Sequence, residues 1–112
     1  MMTEEEERGK SEEEKPADAM DVERTENTVL IGRKPVMNYV VACLTFFNSG
    51  EKTVAIKARG RAISTAVDTV ELLRRAFMKG LKITQISIGT EEIQREDRSS
   101  NVSTIEINVE RP

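Results

Sequence analysis

The sequence predicts a two-layer α/β sandwich with the element order β-α-β-α-β-β. Three observations predict it. Two stretches of helical periodicity each follow a β-type run that stops at a glycine, and two long alternating runs separated by polar residues close the chain. With 112 residues the chain holds one small domain with a real core, and no internal repeat divides it.

The elements follow in order. Thr28–Ile31 is a short strand ended by Gly32. Pro35 suits the first helical position, where its missing N–H is not needed. Val36, Val40, Cys43, Leu44 and Phe47 then recur at helical spacing until Asn48-Ser49-Gly50 stops the helix. In Thr53–Arg59, Val54, Ile56 and Ala58 share one strand face, and Thr53, Ala55, Lys57 and Arg59 the other. After Gly60 a second helix carries Ile63, Ala66, Val67, Val70, Leu73 and Phe77 as its apolar stripe, with Gly80 as its stop. Leu81–Ile93 is a long strand whose apolar residues change phase between Ile83 and Ile86, which calls for a bulge or for burial on both faces. Gln94–Asn101 is expected to be a polar turn. Val102–Glu110 closes the hairpin, with Ile105, Ile107 and Val109 on one face.

Charge is unevenly divided. Residues 1–27 hold eleven acids and four bases, net −7; residues 28–112 hold nine acids and thirteen bases, net +4. The first segment has almost no large apolar residue and is expected to be a disordered acidic tail, because it cannot bury enough surface to offset its ordering entropy. Residues 28–112 form the folded domain, which is basic although the whole chain is acidic. The absence of histidine excludes imidazole catalysis and the usual zinc sets, and the single Cys43 excludes an intramolecular disulfide. No signal-peptide pattern opens the sequence and no run of 18 apolar residues occurs, so a cytoplasmic protein is expected.

The basic residues concentrate in loops. Arg33 and Lys34 lie in the first strand-to-helix connection, Arg59 and Arg61 in the second, and Lys57 shares a strand face with Arg59. If both connections turn the same way, the two loops emerge at one sheet edge. Both also precede helix N-termini, where unpaired N–H groups already favour an anion. Arg95 and Arg98 fall in the hairpin tip, which could project as an arm. No phosphate-cradling G-x-x-x-x-G-K-[ST] loop occurs, and separated point charges suit a polyphosphate backbone better than a mononucleotide. Cys43 reads as core. Asp68 and Glu71 read as surface partners of Arg75 or Arg74, and no nucleophile has a base. An enzyme is not expected, and neither a cofactor nor a metal is called for.

The segments VLIGRKPVMNYVVACLTFFNSG, VAIKARGRAISTAVDTVE and VSTIEINV, in this order, resemble the Alba family of archaeal chromatin proteins over roughly residues 28–112. The resemblance implies a fold similar to the C-terminal domain of translation initiation factor three. It also implies a homodimer that coats double-stranded DNA with little sequence preference, binds RNA as well, and compacts or protects the chromosome. Carried over residue by residue, Arg33, Lys34, Lys57, Arg59 and Arg61 would form a central nucleic-acid-binding surface, and Arg95 and Arg98 would belong to arms along the minor groove. Phe77 falls where the family places an aromatic of dimer–dimer contacts, although its spacing fits an ordinary core position equally well.

Two departures from the family pattern stand out. The family's acetylated lysine opens a G-K-K-P loop, and here Arg33 stands there; the switch is lost or moved to Lys34. In the hairpin, Glu91, Glu92, Glu96 and Asp97 outnumber Arg95 and Arg98, so weak arm contacts are expected. The alternatives to a DNA-coating role are a mainly RNA-directed chaperone or ribonucleoprotein subunit, and a protein-interaction scaffold.

Overall fold

In the computed structural model, which describes residues 24–25 and 27–112, the elements are β1 (Arg24–Thr25), β2 (Thr28–Leu30), α1 (Val36–Asn48), β3 (Thr53–Arg59), α2 (Ala62–Leu72), a π-helical turn (Leu73–Phe77), β4 (Lys82–Arg95) and β5 (Arg98–Glu110). One sheet holds the five strands in the order β1-β2-β3-β5-β4. β2 and β3 are parallel, as a crossover through α1 requires, and the other neighbours are antiparallel. The expected β-α-β-α-β-β order is present. The two-residue β1 is an addition, inside the stretch read as tail. The rest of that stretch, residues 1–23 and Glu26, lies outside the described residues.

Alternation dictates the core. Val29, Ile56, Ile107 and Ile86 form one cross-strand row, and Val54, Val109 and Ile83 form another. α1 and α2 pack over β2 and β3 and bury Val29, Val54, Ile56, Ile107 and Val109 beneath Val40, Cys43, Phe47, Ala66, Val70 and Leu73. α1 starts at Val36, one residue later than predicted, with Pro35 extended just before it (φ −60°, ψ 154°). It ends in a Schellman arrangement: Gly50, at φ 105°, donates its N–H to Phe47 O, and Glu51 donates to Phe46 O.

Two positions of the predicted stripe are exposed: Val67, at 43%, corrects a core reading, and Phe77, at 46%, removes the core alternative of its two readings. The last turn of the second helix is π-helical, with Met78 N–H donating to Leu73 O at 2.8 Å. That wider turn ends the 3.6-residue repeat that carried the stripe to Phe77, whereas Val67 lies upstream of it in regular α-helix and is exposed there. The helical run accordingly stops at Phe77, before Gly80.

The closing hairpin is longer than predicted. Pairing shifts between Ile83 and Gln85, which makes Thr84 the bulged residue and accounts for the phase change read in the sequence. The expected polar loop over Gln94–Asn101 is mostly strand instead: Arg95 pairs with Arg98, leaving only Glu96 and Asp97 as the turn. Strand pairing is satisfied by backbone groups, so a polar stretch can continue a ladder wherever both faces meet water. Six residue pairs lie beyond Thr104, the partner of Arg59 at the end of β3. At about 3.3 Å per residue they form an arm about 20 Å long.

Candidate nucleic-acid interface

Because β2 and β3 are parallel, the loops that follow them leave the same end of the sheet. The first loop is held from within. Tyr39, on the first turn of α1, is 2% exposed, and its hydroxyl accepts the backbone N–H groups of Gly32 at 2.8 Å and Lys34 at 2.9 Å. Arg33 sits between these two anchored residues. The second loop is held from the hairpin side. Gly60 (φ 59°) donates its N–H to Ser103 O at 2.9 Å and accepts Ile63 N–H at 3.1 Å. Gly60 sits in the left-handed region, which a residue with a Cβ rarely adopts, so the turn calls for glycine. The Arg59-Gly60-Arg61 turn is thereby fastened to the root of the arm.

These anchors shape an open groove of about 1400 Å³. Arg33, Arg59 and Arg61 line it from the loops, and Arg95 and Arg98 line it from the arm. Two acids, Glu96 and Asp97, also border it. The arm presents one face to the groove: Ile93 and Arg95 from β4, and Arg98, Ser100 and Val102 from β5. By alternation Glu92 falls on the other face. Arg95 and Arg98 are directly cross-paired, a like-charge arrangement that disfavours the hairpin, and Glu96 adopts φ 52°, unusual for a residue with a Cβ. Local stability is given up at this tip.

Not every predicted cation joins the groove. Lys57 lies on the sheet face away from the helices, beside a second, smaller hollow of about 630 Å³ that it shares with Arg59, Ser87, Gly89, Glu91, Thr104 and Glu106. Its Nζ is 3.9 Å from Glu106, and the Arg59 guanidinium donates to Glu91 at 3.1 Å. Lys34 is half-buried and does not line the groove, and its backbone N–H is tied to the Tyr39 hydroxyl. Among the described residues, no ion pair joins Arg33, Arg61, Arg95 or Arg98 to an acid. The acidic arm foreseen from composition is therefore less acidic toward the groove, since Glu91 is committed to Arg59 and Glu92 points away.

Electrostatics at the helix starts supports a functional origin. Neither α1 nor α2 has a side-chain cap or an acid in its first turn, and Arg61 occupies the position before α2. A cation there opposes the macrodipole. Elsewhere the chemistry is inert. Glu71 and Arg74 form the expected i,i+3 pair at 2.6 Å, and burial pushes the Cys43 thiol up to about 12, far from thiolate reactivity. Sequence reasoning missed Tyr39, the Gly60–Ser103 link and the alternating groove face of the arm. Only the last had a usable signal, the two-residue spacing of Ile93-Arg95 and Arg98-Ser100-Val102.

Residues 27–90 match the Alba family model. The chain belongs to the Alba family. It is 56% identical over 82 residues to DNA/RNA-binding protein Alba 1 of Archaeoglobus fulgidus, covering 73% of this chain and 92% of that protein. It is 53% identical over 88 residues to DNA/RNA-binding protein Alba of Methanocella arvoryzae, covering 78% and 92%. Among solved structures, Alba from Thermoplasma volcanium superposes with a TM-score of 0.73 at 47% identity, over 76% of this chain and all of that one. ALBA1 from Trypanosoma brucei superposes at 0.66 with 30% identity, over 80% and 72%. The Alba-type sandwich expected from the sequence is the fold observed.

Proposed function

We propose that this Alba protein is a non-enzymatic, largely sequence-independent binder of double-stranded DNA that also binds RNA and compacts or protects the chromosome. The observation that carries the reading is the convergence of Arg33, Arg59, Arg61, Arg95 and Arg98, drawn from three separate segments, on one open groove. A groove that is open, walled by an arm and lined by point charges suits a polymer passing through rather than a small molecule enclosed. The archaeal relatives, named as DNA/RNA-binding proteins, support the same chemistry. Arg33, Arg59, Arg61, Arg95 and Arg98 contact phosphates directly; Lys34 and Lys57 add charge at the margins, and Lys34 is the lysine left for acetylation.

The working unit is a homodimer. β4 is an edge strand, and two inner apolar rows run out onto it at Ile86 and Ile88, which are 57% and 82% exposed. A second copy covering that strip would bring two grooves and two arms onto one duplex, and Phe77 remains exposed for contacts between dimers. No helix among the described residues is long and apolar enough to cross a membrane, and association with the chromosome follows from the binding itself.

Salt-titrated binding to duplexes of unrelated sequence tests the reading. If a dimer neutralises about six phosphates, log K falls with log salt at a slope of about −5, and substituting RNA duplex leaves binding measurable. A slope near zero, or an affinity that varies strongly with sequence, would overturn it.

A further inference from the structure

β1 runs antiparallel to β2, with Arg24 opposite Val29, so β1 begins toward the end of β2 where Ile31, Gly32 and Arg33 line the groove. β1 and β3 are two strands apart, about 10 Å at the usual strand spacing. The preceding segment, residues 1–23, carries ten acids and three bases, with glutamate runs at 4–7 and 12–14. Glu13, in the middle of the second run, is ten residue steps before Glu23. At up to about 3.3 Å each, they reach further than the arm is long.

We propose that this acidic segment seats its carboxylates on the arginine groove of its own chain and competes there with nucleic acid. The inference rests on the function proposed above. Charge complementarity and chain direction carry it together: Arg33, Arg61, Arg95 and Arg98 have no acidic partner among the described residues, and a polyanion is tethered beside them. Tethering gives such a segment an effective concentration of about millimolar, so it competes without leaving the protein. The groove is then a switch set by ionic conditions and by the local density of phosphate. Nucleic acid at high density displaces the segment, whereas isolated or low-affinity sites do not.

The test compares the full chain with a full-length variant carrying Gln at Glu4–Glu7 and Glu12–Glu14. Random duplex DNA should bind the variant about tenfold more tightly at low salt, with the gap closing as the Debye length shrinks toward about 3 Å near molar salt. The salt slope should be shallower in the native chain, because its groove has already shed counterions to the carboxylates. NMR of the arginine side chains without nucleic acid should show shifts between the two proteins at Arg33, Arg61, Arg95 and Arg98, unchanged on dilution. Equal affinities with unshifted arginine signals would overturn the proposal. So would tighter binding by the variant with unshifted signals, which marks long-range repulsion rather than docking, or shifts that vanish on dilution, which mark docking between molecules. If neither protein binds duplex, the function proposed above fails instead; the arginine signals still report on docking.

Discussion

The Tyr39 hydroxyl accepts the Lys34 backbone N–H at 2.9 Å, and the same oxygen accepts Gly32 N–H at 2.8 Å. One buried phenol on α1 thus fixes both sides of Arg33 and sets the direction in which the first cationic loop faces. Tyr39→Phe keeps the ring's packing and removes the acceptor, leaving two part-buried N–H groups without it. The expected cost is about 1–3 kcal/mol of stability, with a several-fold loss of DNA affinity because Arg33 is no longer held. Thermal unfolding and fluorescence anisotropy on random duplex measure the two effects. Unchanged affinity in a destabilised variant would mean that the loop is ordered by other contacts.

The regular elements were legible in the sequence because their causes are local. Alternation in Thr53–Arg59 buries Val54, Ile56 and Ala58 as read, and the phase slip after Ile83 appears as a bulge at Thr84. The two cationic loops could be placed at one sheet edge from topology alone. The rest depends on tertiary geometry that periodicity does not encode. Tyr39 sits one residue off the stripe read for α1, and its value lies in a hydroxyl reaching back to an earlier loop. The core alternative for Phe77 rested on a repeat that the π-helical turn interrupts. Polar Gln94–Asn101 read as a loop because nothing local distinguishes a solvated ladder from a turn. Lys57 was grouped with the loop cations because it shares a strand face with Arg59, yet of the two only Arg59 reaches the groove, and Lys57 lines the adjoining smaller hollow with Glu106.

Glu91 restrains Arg59. Both side chains are about half exposed and their contact is 3.1 Å, so the pair contributes little to folding, and Glu91→Gln should change stability by no more than about 0.5 kcal/mol. Its effect on binding should be larger and opposite in sense to an ordinary surface mutation. Freeing Arg59 for phosphate and removing a like charge should tighten duplex binding about two- to fivefold at low salt, and the salt slope should steepen by up to about 0.9 for each guanidinium gained. An affinity equal to the parent would mean that Arg59 already leaves Glu91 when nucleic acid arrives.

Ile88 tests the proposed dimer. It is 82% exposed at the end of an inward-facing row that continues through Ile105 to Ala58. Ile88→Lys places a charge on that strip and should leave the monomer fold intact, since nothing in the core depends on the side chain. Sedimentation should shift from dimer to monomer, and random-duplex affinity should fall by tenfold or more as paired grooves become single ones. A variant that sediments with the parent would exclude β4 as the dimer strip.

Arg61 separates stability from function. It stands at the positive end of α2 with no acid in the first turn to offset it, and it lines the groove with Arg33 and Arg98. A cation in that position costs the helix about 0.3–1 kcal/mol. Arg61→Ala should therefore raise the unfolding free energy by an amount of that order while lowering duplex affinity. The affinity loss should be similar on unrelated sequences, because a phosphate contact carries no base information. Denaturant titration and binding on three unrelated duplexes read both changes. If stability rose and binding held, Arg61 would be a tolerated surface charge and the groove would begin at Arg59; a gain in stability together with a uniform loss of affinity means that the helix start is kept unfavourable for the sake of the phosphate it holds.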